Sequence, residues 1–404
     1  MDRYLVISSD CHAGLPAAQY RDYVSPKYRE TFDAALPIQI EMTKAAEKRF
    51  LIDDINAKWR EGNEEALSGA WDHDERLKVL DGDGIAAEII FPDGITEMNA
   101  APFGGGFAMP AENVVPELQW EGCRAHNRWL AEFVSMAPER RLGAACVPIF
   151  WEVEEAVKEI RWARNNGLNG LIFPCGWGKQ PPYHHTRYDP IWAVCQELDM
   201  PIHYHSGLAP TDDYFGSLGQ SATPESTALL PGAVGIYISE VCWYNVRPLT
   251  FMLWGGVFER FPKLKTVITE GTTIWAPEYL RLMDHRYCES HYSSKLGDYH
   301  SHLSMKPSEY FARNVRLGAS CMPRNEALQR HETGLKQIMW GSDYPHPEGS
   351  WPFTREQMIE TFKGLPEDDI AAMLGGNAAE FYGFDTEKLA PIVARIGPEK
   401  SAFL

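Results

Sequence analysis

Near the N-terminus, Asp10 and His12 stand at the end of a strand-like run, YLVISSDCHAG (4–14). Side chains on a strand alternate faces, so residues two apart point the same way. A carboxylate beside an imidazole is half of a metal site. Alone the pair says little, because Asp-x-His also occurs in solvated loops. It gains meaning from groups of the same chemistry at the ends of later apolar runs. These are His203 and His205 in MPIHYHSG, Glu270 in VITEG and Asp343 in WGSDYPHPEG. Taken singly, each has an ordinary structural role: a core histidine, a salt-bridged glutamate, a turn-capping aspartate. Taken jointly they point to a divalent cation, because buried carboxylates are costly unless paired or metal-bound. Imidazoles and carboxylates without thiolates suit zinc, manganese or iron, and three carboxylates could hold one ion or two. Asp343, Glu270 and His205 are also the candidate catalytic groups.

These residues share a rim only if the elements carrying them are arranged in register. From residue 85 onward a rhythm sets in: AAEIIFP, LGAACVP, GLIFP, MPIHYHSG, LKTVITEG, NVRLGAS and KQIMWGSD alternate with amphipathic helical stretches. With the first run this makes eight apolar strands. Strands buried on both faces and joined by helices predict a single (β/α)8 barrel domain over 1–404. In such a barrel the active site lies at the C-terminal strand ends, where all the residues named above fall. Two stretches exceed a simple connection. Residues 15–70 predict a helical cap after strand one, and residues 206–245 a lid-like loop after strand five. His203, Trp177, Tyr344, His346 and Glu97 are candidate substrate contacts on the same rim. Trp177 and Tyr344 equally suit packing, and Glu97 equally suits a loop carboxylate.

Composition narrows the partners. With 38 Lys and Arg against 56 Asp and Glu, the chain carries a formal charge of −18, which speaks against nucleic-acid binding. A hydrophobic share of 44% is ample for a buried core. The eight cysteines include no CxxC pair, and several sit in apolar runs; a reduced, cytoplasmic protein is expected. No secretory signal precedes the first strand, and no run approaches membrane-spanning length. A small-molecule substrate is the expected partner.

The chain resembles the amidohydrolase superfamily. The branch is the amidohydrolase-related one that contains aminocarboxymuconate-semialdehyde decarboxylase and γ-resorcylate decarboxylase. The resemblance rests on SSDCHAG, ERLKVLDGDGIAAEIIFP, RYDPIWAVCQELDMPIHYHSG, VFERFPKLKTVITEG, WGSDYPHPEG and GGNAAEFYGFD, which together span nearly the whole chain. It implies a metal site of Asp10, His12, His205 and Asp343, and a homo- or hetero-oligomer. There are two departures. Asp10 stands where many members carry His or Glu, and Glu270 takes the strand-six place of a catalytic His. A carboxylate there can act as an acid only if its pKa is strongly raised; otherwise it suits a further ligand. The resemblance thus implies hydrolysis or non-oxidative decarboxylation of a small acid or amide. The alternative is the two-metal oxygenase offshoot, similar to 2-aminoisobutyrate hydroxylase, which uses iron with iron or manganese. A structural subunit of such a complex is the third reading.

Overall fold

A computed structural model of the chain describes residues 2–50, 53–92, 100–110, 114–207, 233–288 and 296–404. Eight strands form one parallel sheet in sequence order. They are β1 (Ile7–Ala13), β2 (Ala87–Pro92), β3 (Arg141–Cys146), β4 (Gly170–Phe173), β5 (Ile202–His205), β6 (Thr266–Thr269), β7 (Val315–Ser320) and β8 (Ile338–Gly341). Every residue of β2 to β6 and of β8 is buried, which is why these strands read as unbroken apolar runs rather than alternating ones. The barrel closes where β1 meets the chain after β8. Cys11 bridges Tyr344 in parallel, the His12 amide donates to the Tyr344 carbonyl (2.7 Å), and the Asp343 amide donates to that of Asp10 (2.9 Å). The seam of the barrel therefore carries three candidate ligands.

The helices occupy the expected connections. After β1 come α1 (Arg29–Phe50), α2 (Asp53–Leu67) and α3 (His73–Asp83). The Asp72 carboxylate accepts from the amides of Asp74 and Glu75 to start α3, and Gly84, at φ 84°, ends it. Then α4 (Pro116–Ser135) leads to β3, α5 (Val153–Asn165) to β4, and α6 (Asp189–Glu197) to β5. Next, α7 (Ala233–Trp254) and α8 (Val257–Arg260) precede β6, while α9 (Ala276–Cys288) and α10 (Pro307–Asn314) precede β7. Two short helices, α11 (Arg324–Leu328) and α12 (Arg330–Thr333), lead into β8. The chain ends in α13 (Thr354–Phe362), α14 (Glu367–Ala371), α15 (Asn377–Tyr382) and α16 (Thr386–Ile396).

The cap expected over 15–70 is present as α1 and α2, preceded by two 3-10 turns. The lid expected over 206–245 falls largely outside the described residues, which omit 208–232, and 233–245 already belong to α7. The apolar run AVGIYISEVCWYNV extends that helix upstream of the periodic stretch that announced it. At the other end of the barrel, Ala378 and Phe381 of α15 pack in one cluster with Ile7, Ile89, Val267 and Met339. Among the described residues, no helix is long and apolar enough to cross a membrane.

Candidate metal-binding site

The strand ends bring one cluster together. Asp10, His12, His205 and Asp343 are each 2% exposed or less. His12 Nε2 lies 3.5 Å from Asp10 Oδ1 and 3.3 Å from Asp343 Oδ1, and His205 Nε2 lies 3.3 Å from Asp10 Oδ1. His346 joins from the turn after β8: its Nδ1 is 2.9 Å from Asp343 Oδ1, and its ring stacks on His12 with centroids 3.8 Å apart. Among the described residues, the potential ligand atoms fall into three overlapping groups: Asp10–His12–His205, His12–Asp343–His346 and Glu270–Asp343–His346–Glu348. Within each group they lie within 4.8 Å of one another.

The surroundings aim these groups inward. His12 Nδ1 lies 2.9 Å from the Pro92 carbonyl; donating there leaves the Nε2 lone pair facing the cluster. His205 Nδ1 sits 3.0 Å from the Ser206 carbonyl and 3.1 Å from Glu270 Oε2, while Ser206 Oγ donates to the same Glu270 oxygen (2.7 Å). Ser320, the last residue of β7, donates to Asp10 Oδ2. Arg76, wholly buried on α3, braces the strand from behind. It donates to the carbonyls of His12 (2.9 Å) and Gly69 (3.0 Å) and pairs bidentately with Glu88 of β2 (2.8 and 2.7 Å). Its guanidinium also lies 5.3 Å from the centroid of the Tyr344 ring, next to Asp343.

Whether these residues fit a cation can be asked of the buried polar atoms. His12 Nε2 and Asp343 Oδ1 face one another, fully buried, and neither makes a hydrogen bond. Orphaned atoms of this kind are rare unless something satisfies them, and a divalent ion held by these side chains would do so. Glu270 and Asp343 also adopt left-handed backbone conformations, with φ of 53° and 59°, which non-glycine residues seldom take. Such strain concentrates at functional positions.

The charges interact strongly. Burial works against protonation of His205, but the Asp10 and Glu270 carboxylates outweigh it and raise its pKa to about 9. Burial and the nearby Asp343 and Asp10 carboxylates push Glu270 well above the ordinary carboxylate range, with His205 opposing them. Burial would raise Asp343 too, yet the neighbouring His346 holds it far below that range.

A further buried carboxyl supports the turn after β8. Thr354 Oγ1 donates to Asp83 Oδ2 (2.7 Å), and Ser350 Oγ reaches both Thr354 Oγ1 (3.1 Å) and the Ser342 carbonyl (3.2 Å). Burial pushes Asp83 up to about 7, against the lowering effect of the Thr354 bond. A folded pKa above the unfolded value means the protonated form is favoured on folding, so stability is lost as pH rises from about 4 to about 7. Asp83→Asn keeps the acceptor and removes the charge. It is expected to be more stable than the parent at pH 8, by up to about 4 kcal/mol, with the gap closing below pH 4. Urea unfolding at both pH values measures this; an equal offset at both would contradict it.

Other candidates lie elsewhere. His203 was expected at the rim but sits deeper in the barrel, with Nδ1 2.8 Å from the Leu171 carbonyl and Nε2 2.9 Å from the Tyr382 hydroxyl. The Phe91 ring lies 5.0 Å from both His203 and His205. Tyr344 is fully buried, donates to the Ala66 carbonyl and packs on Trp351, as the packing alternative expects. Trp177 packs between Phe251 and Tyr183. Glu97 lies outside the described residues. Sequence reasoning missed Ser206, Ser320, Glu348 and Arg76; only Ser320, closing the apolar run NVRLGAS, occupied a position that invited attention.

Comparison with known proteins places this geometry. The sequence profile of a family described as amidohydrolase matches residues 9–384. A 2-amino-3-carboxymuconate-6-semialdehyde decarboxylase of Dictyostelium discoideum is 25% identical over 325 residues, covering 80% of this chain and 79% of that protein. A γ-resorcylate decarboxylase of Rhodococcus jostii is 25% identical over 291 residues, 67% of this chain and 77% of its own. A crystal structure of 5-carboxyvanillate decarboxylase from Novosphingobium aromaticivorans, complexed with manganese and a hydroxy-methoxy-nitrobenzoic acid, superposes with a TM-score of 0.61. It shares 18% identity and covers 95% of this chain and 97% of that one. With its match over nearly the whole length and its eight-stranded barrel, the chain belongs to the amidohydrolase family and is an enzyme.

Proposed function

We propose that the protein is a metal-dependent decarboxylase of a small, hydroxylated or enolic carboxylic acid, with manganese the first candidate ion. The observation that carries this reading is the buried set Asp10, His12, His205 and Asp343, with His12 Nε2 and Asp343 Oδ1 unsatisfied and facing one another. The decarboxylase names of the three relatives above, one of them complexed with manganese, support the reaction class and the metal.

In this reading Asp10, His12, His205 and Asp343 hold the ion, which supplies Lewis-acid polarisation of a substrate oxygen. The chain's own residues do the rest. Loss of carbon dioxide leaves an electron pair on the ring or enol carbon, and that carbon must receive a proton. Glu270, with its raised pKa and its carboxyl 3.1 Å from His205 Nδ1, is positioned to hold that proton. Burial of the cluster keeps water away from the reacting carbon and strengthens every charge interaction inside.

A second reading is favoured by one observation. The group Glu270, Asp343, His346 and Glu348 could hold a second ion, as a two-metal oxygenase requires. The relatives named above give that chemistry no support. Glu270→Gln separates the two roles. With Glu270 as proton donor, the variant keeps its metal content and loses about 10²-fold or more in carbon dioxide release. With Glu270 as ligand, metal per chain falls by about one ion. The direct test of the reaction is release of labelled carbon dioxide from carboxyl-labelled hydroxybenzoates by the manganese-loaded protein. Chelator-sensitive release supports the proposal; oxygen consumption without release would overturn it.

A further inference from the structure

At the end of the barrel remote from Asp10 and Asp343, a cleft of about 360 Å³ opens between the starts of β6 and β7 and helix α15. Four cations, Lys263, Lys265, Arg313 and Arg316, line it against two carboxylates, Asp199 and Glu380. Lys265 is paired, 2.9 Å from Asp199 Oδ2. Among the described residues, no carboxylate lies at ion-pair distance from Lys263, Arg313 or Arg316.

The guanidinium groups are held in place by neutral acceptors instead. Arg313 donates to the Phe258 carbonyl (2.6 Å) and to Asn314 Oδ1 (2.9 Å), and Arg316 donates to the Val315 carbonyl (2.9 Å). Arg316 and Lys265 both lie against the Phe381 ring, at 5.1 and 5.3 Å from its centroid. Such contacts fix position, while the nearby carboxylates, Glu380 by Arg316 and Glu259 by Arg313, act on these charges from beyond ion-pair distance. Elsewhere many surface cations are neutralised by carboxylates, as in Arg21–Asp33, Arg161–Glu197 and Arg260–Asp189. A net-positive cleft therefore stands out on a chain whose formal charge is −18. Arg316 is partly buried, so its charge is less hydrated than a surface guanidinium and gains more from a bound anion.

We propose that this cleft binds a small multivalent oxyanion bearing phosphate or carboxylate groups. Its volume suits a compact ligand, and the acidity of the rest of the chain disfavours a long polyanion. Arginine forks supply bidentate donors to either group, and Lys263 adds a mobile point charge.

The test is calorimetric titration of the metal-loaded, full-length protein at low ionic strength, with inorganic phosphate and separately with succinate. One saturable site is expected for at least one of the two probes, and the stronger probe identifies the ligand chemistry. Lys263→Met and Arg316→Met are each expected to weaken binding about tenfold. Lys263 is exposed, so its variant tests the cleft even if Arg316→Met fails to fold. Asp343→Asn should bind the probe as the parent does. The proposal is overturned by no saturable binding of either probe up to about 10 mM. It is equally overturned by binding that disappears in Asp343→Asn and persists in Lys263→Met, which would place the anion at the metal site.

Discussion

Asp343→Asn is expected to lower turnover by about 10³-fold or more while leaving the fold intact. The residue sits where a folded-state aspartate is hardest to replace. His346 holds it well below the ordinary carboxylate range, its Oδ1 faces His12 Nε2 without a hydrogen bond, and its backbone is left-handed. Asn removes the charge but keeps the shape, and it is among the residues that tolerate φ near 59°. The Asp343 amide bond to the Asp10 carbonyl survives, so the barrel seam is not opened. The loss is therefore one of metal binding and transition-state charge, on the order of 4 kcal/mol, which corresponds to about three powers of ten in rate. Turnover at saturating metal, together with thermal unfolding, checks both halves. A variant with full activity would remove the metal-site argument.

Arg76→Met should do the converse, acting on stability first and on the site through it. The guanidinium makes four buried bonds, two to Glu88 and one each to the carbonyls of His12 and Gly69. Its loss leaves Glu88 buried with Arg141 at 3.5 Å as its remaining cation. Removing one partner of a buried pair costs about 3–5 kcal/mol, and the His12 carbonyl loses its brace as well. The expected result is a large drop in denaturant midpoint together with weaker metal binding. In the double variant Arg76→Met with Glu88→Met, stability should recover in part, because the uncompensated charge is gone. Metal affinity should not recover with it, since the bond to the His12 carbonyl is still missing. If affinity returned with stability, Arg76 would be only a structural residue.

How much of this was legible in the sequence follows from which physical rule each residue obeys. The eight strands announced themselves because a strand buried on both faces reads as an apolar run, and the helices between them leave a closed barrel as the economical solution. The choice of His205 over His203 came from the family resemblance, whereas Asp10, His12 and Asp343 were legible because charged groups at the ends of such runs need a reason to be there. His203 was not, because alternation says which way a side chain points but not how deep it lies. Two residues along a strand move a side chain about 6.6 Å, enough to hand His203 to the Leu171 carbonyl and the Tyr382 hydroxyl instead. Tyr344 follows Asp343 directly but turns away to stack near Arg76. The supporting groups Arg76 and Ser206 were hidden because their roles depend on contacts between elements. Their residue types are common, and Arg76 carries out its task 64 positions away from His12.

The claim on which the rest depends is that the rim cluster holds a divalent cation through Asp10, His12, His205 and Asp343. Anomalous diffraction from crystals grown with manganese tests it most directly. A manganese peak is expected within direct coordination distance of side-chain atoms of these four residues, with any second peak next to Glu270 and His346. A peak elsewhere, or none beside His12 and Asp343 in well-ordered density, would contradict it.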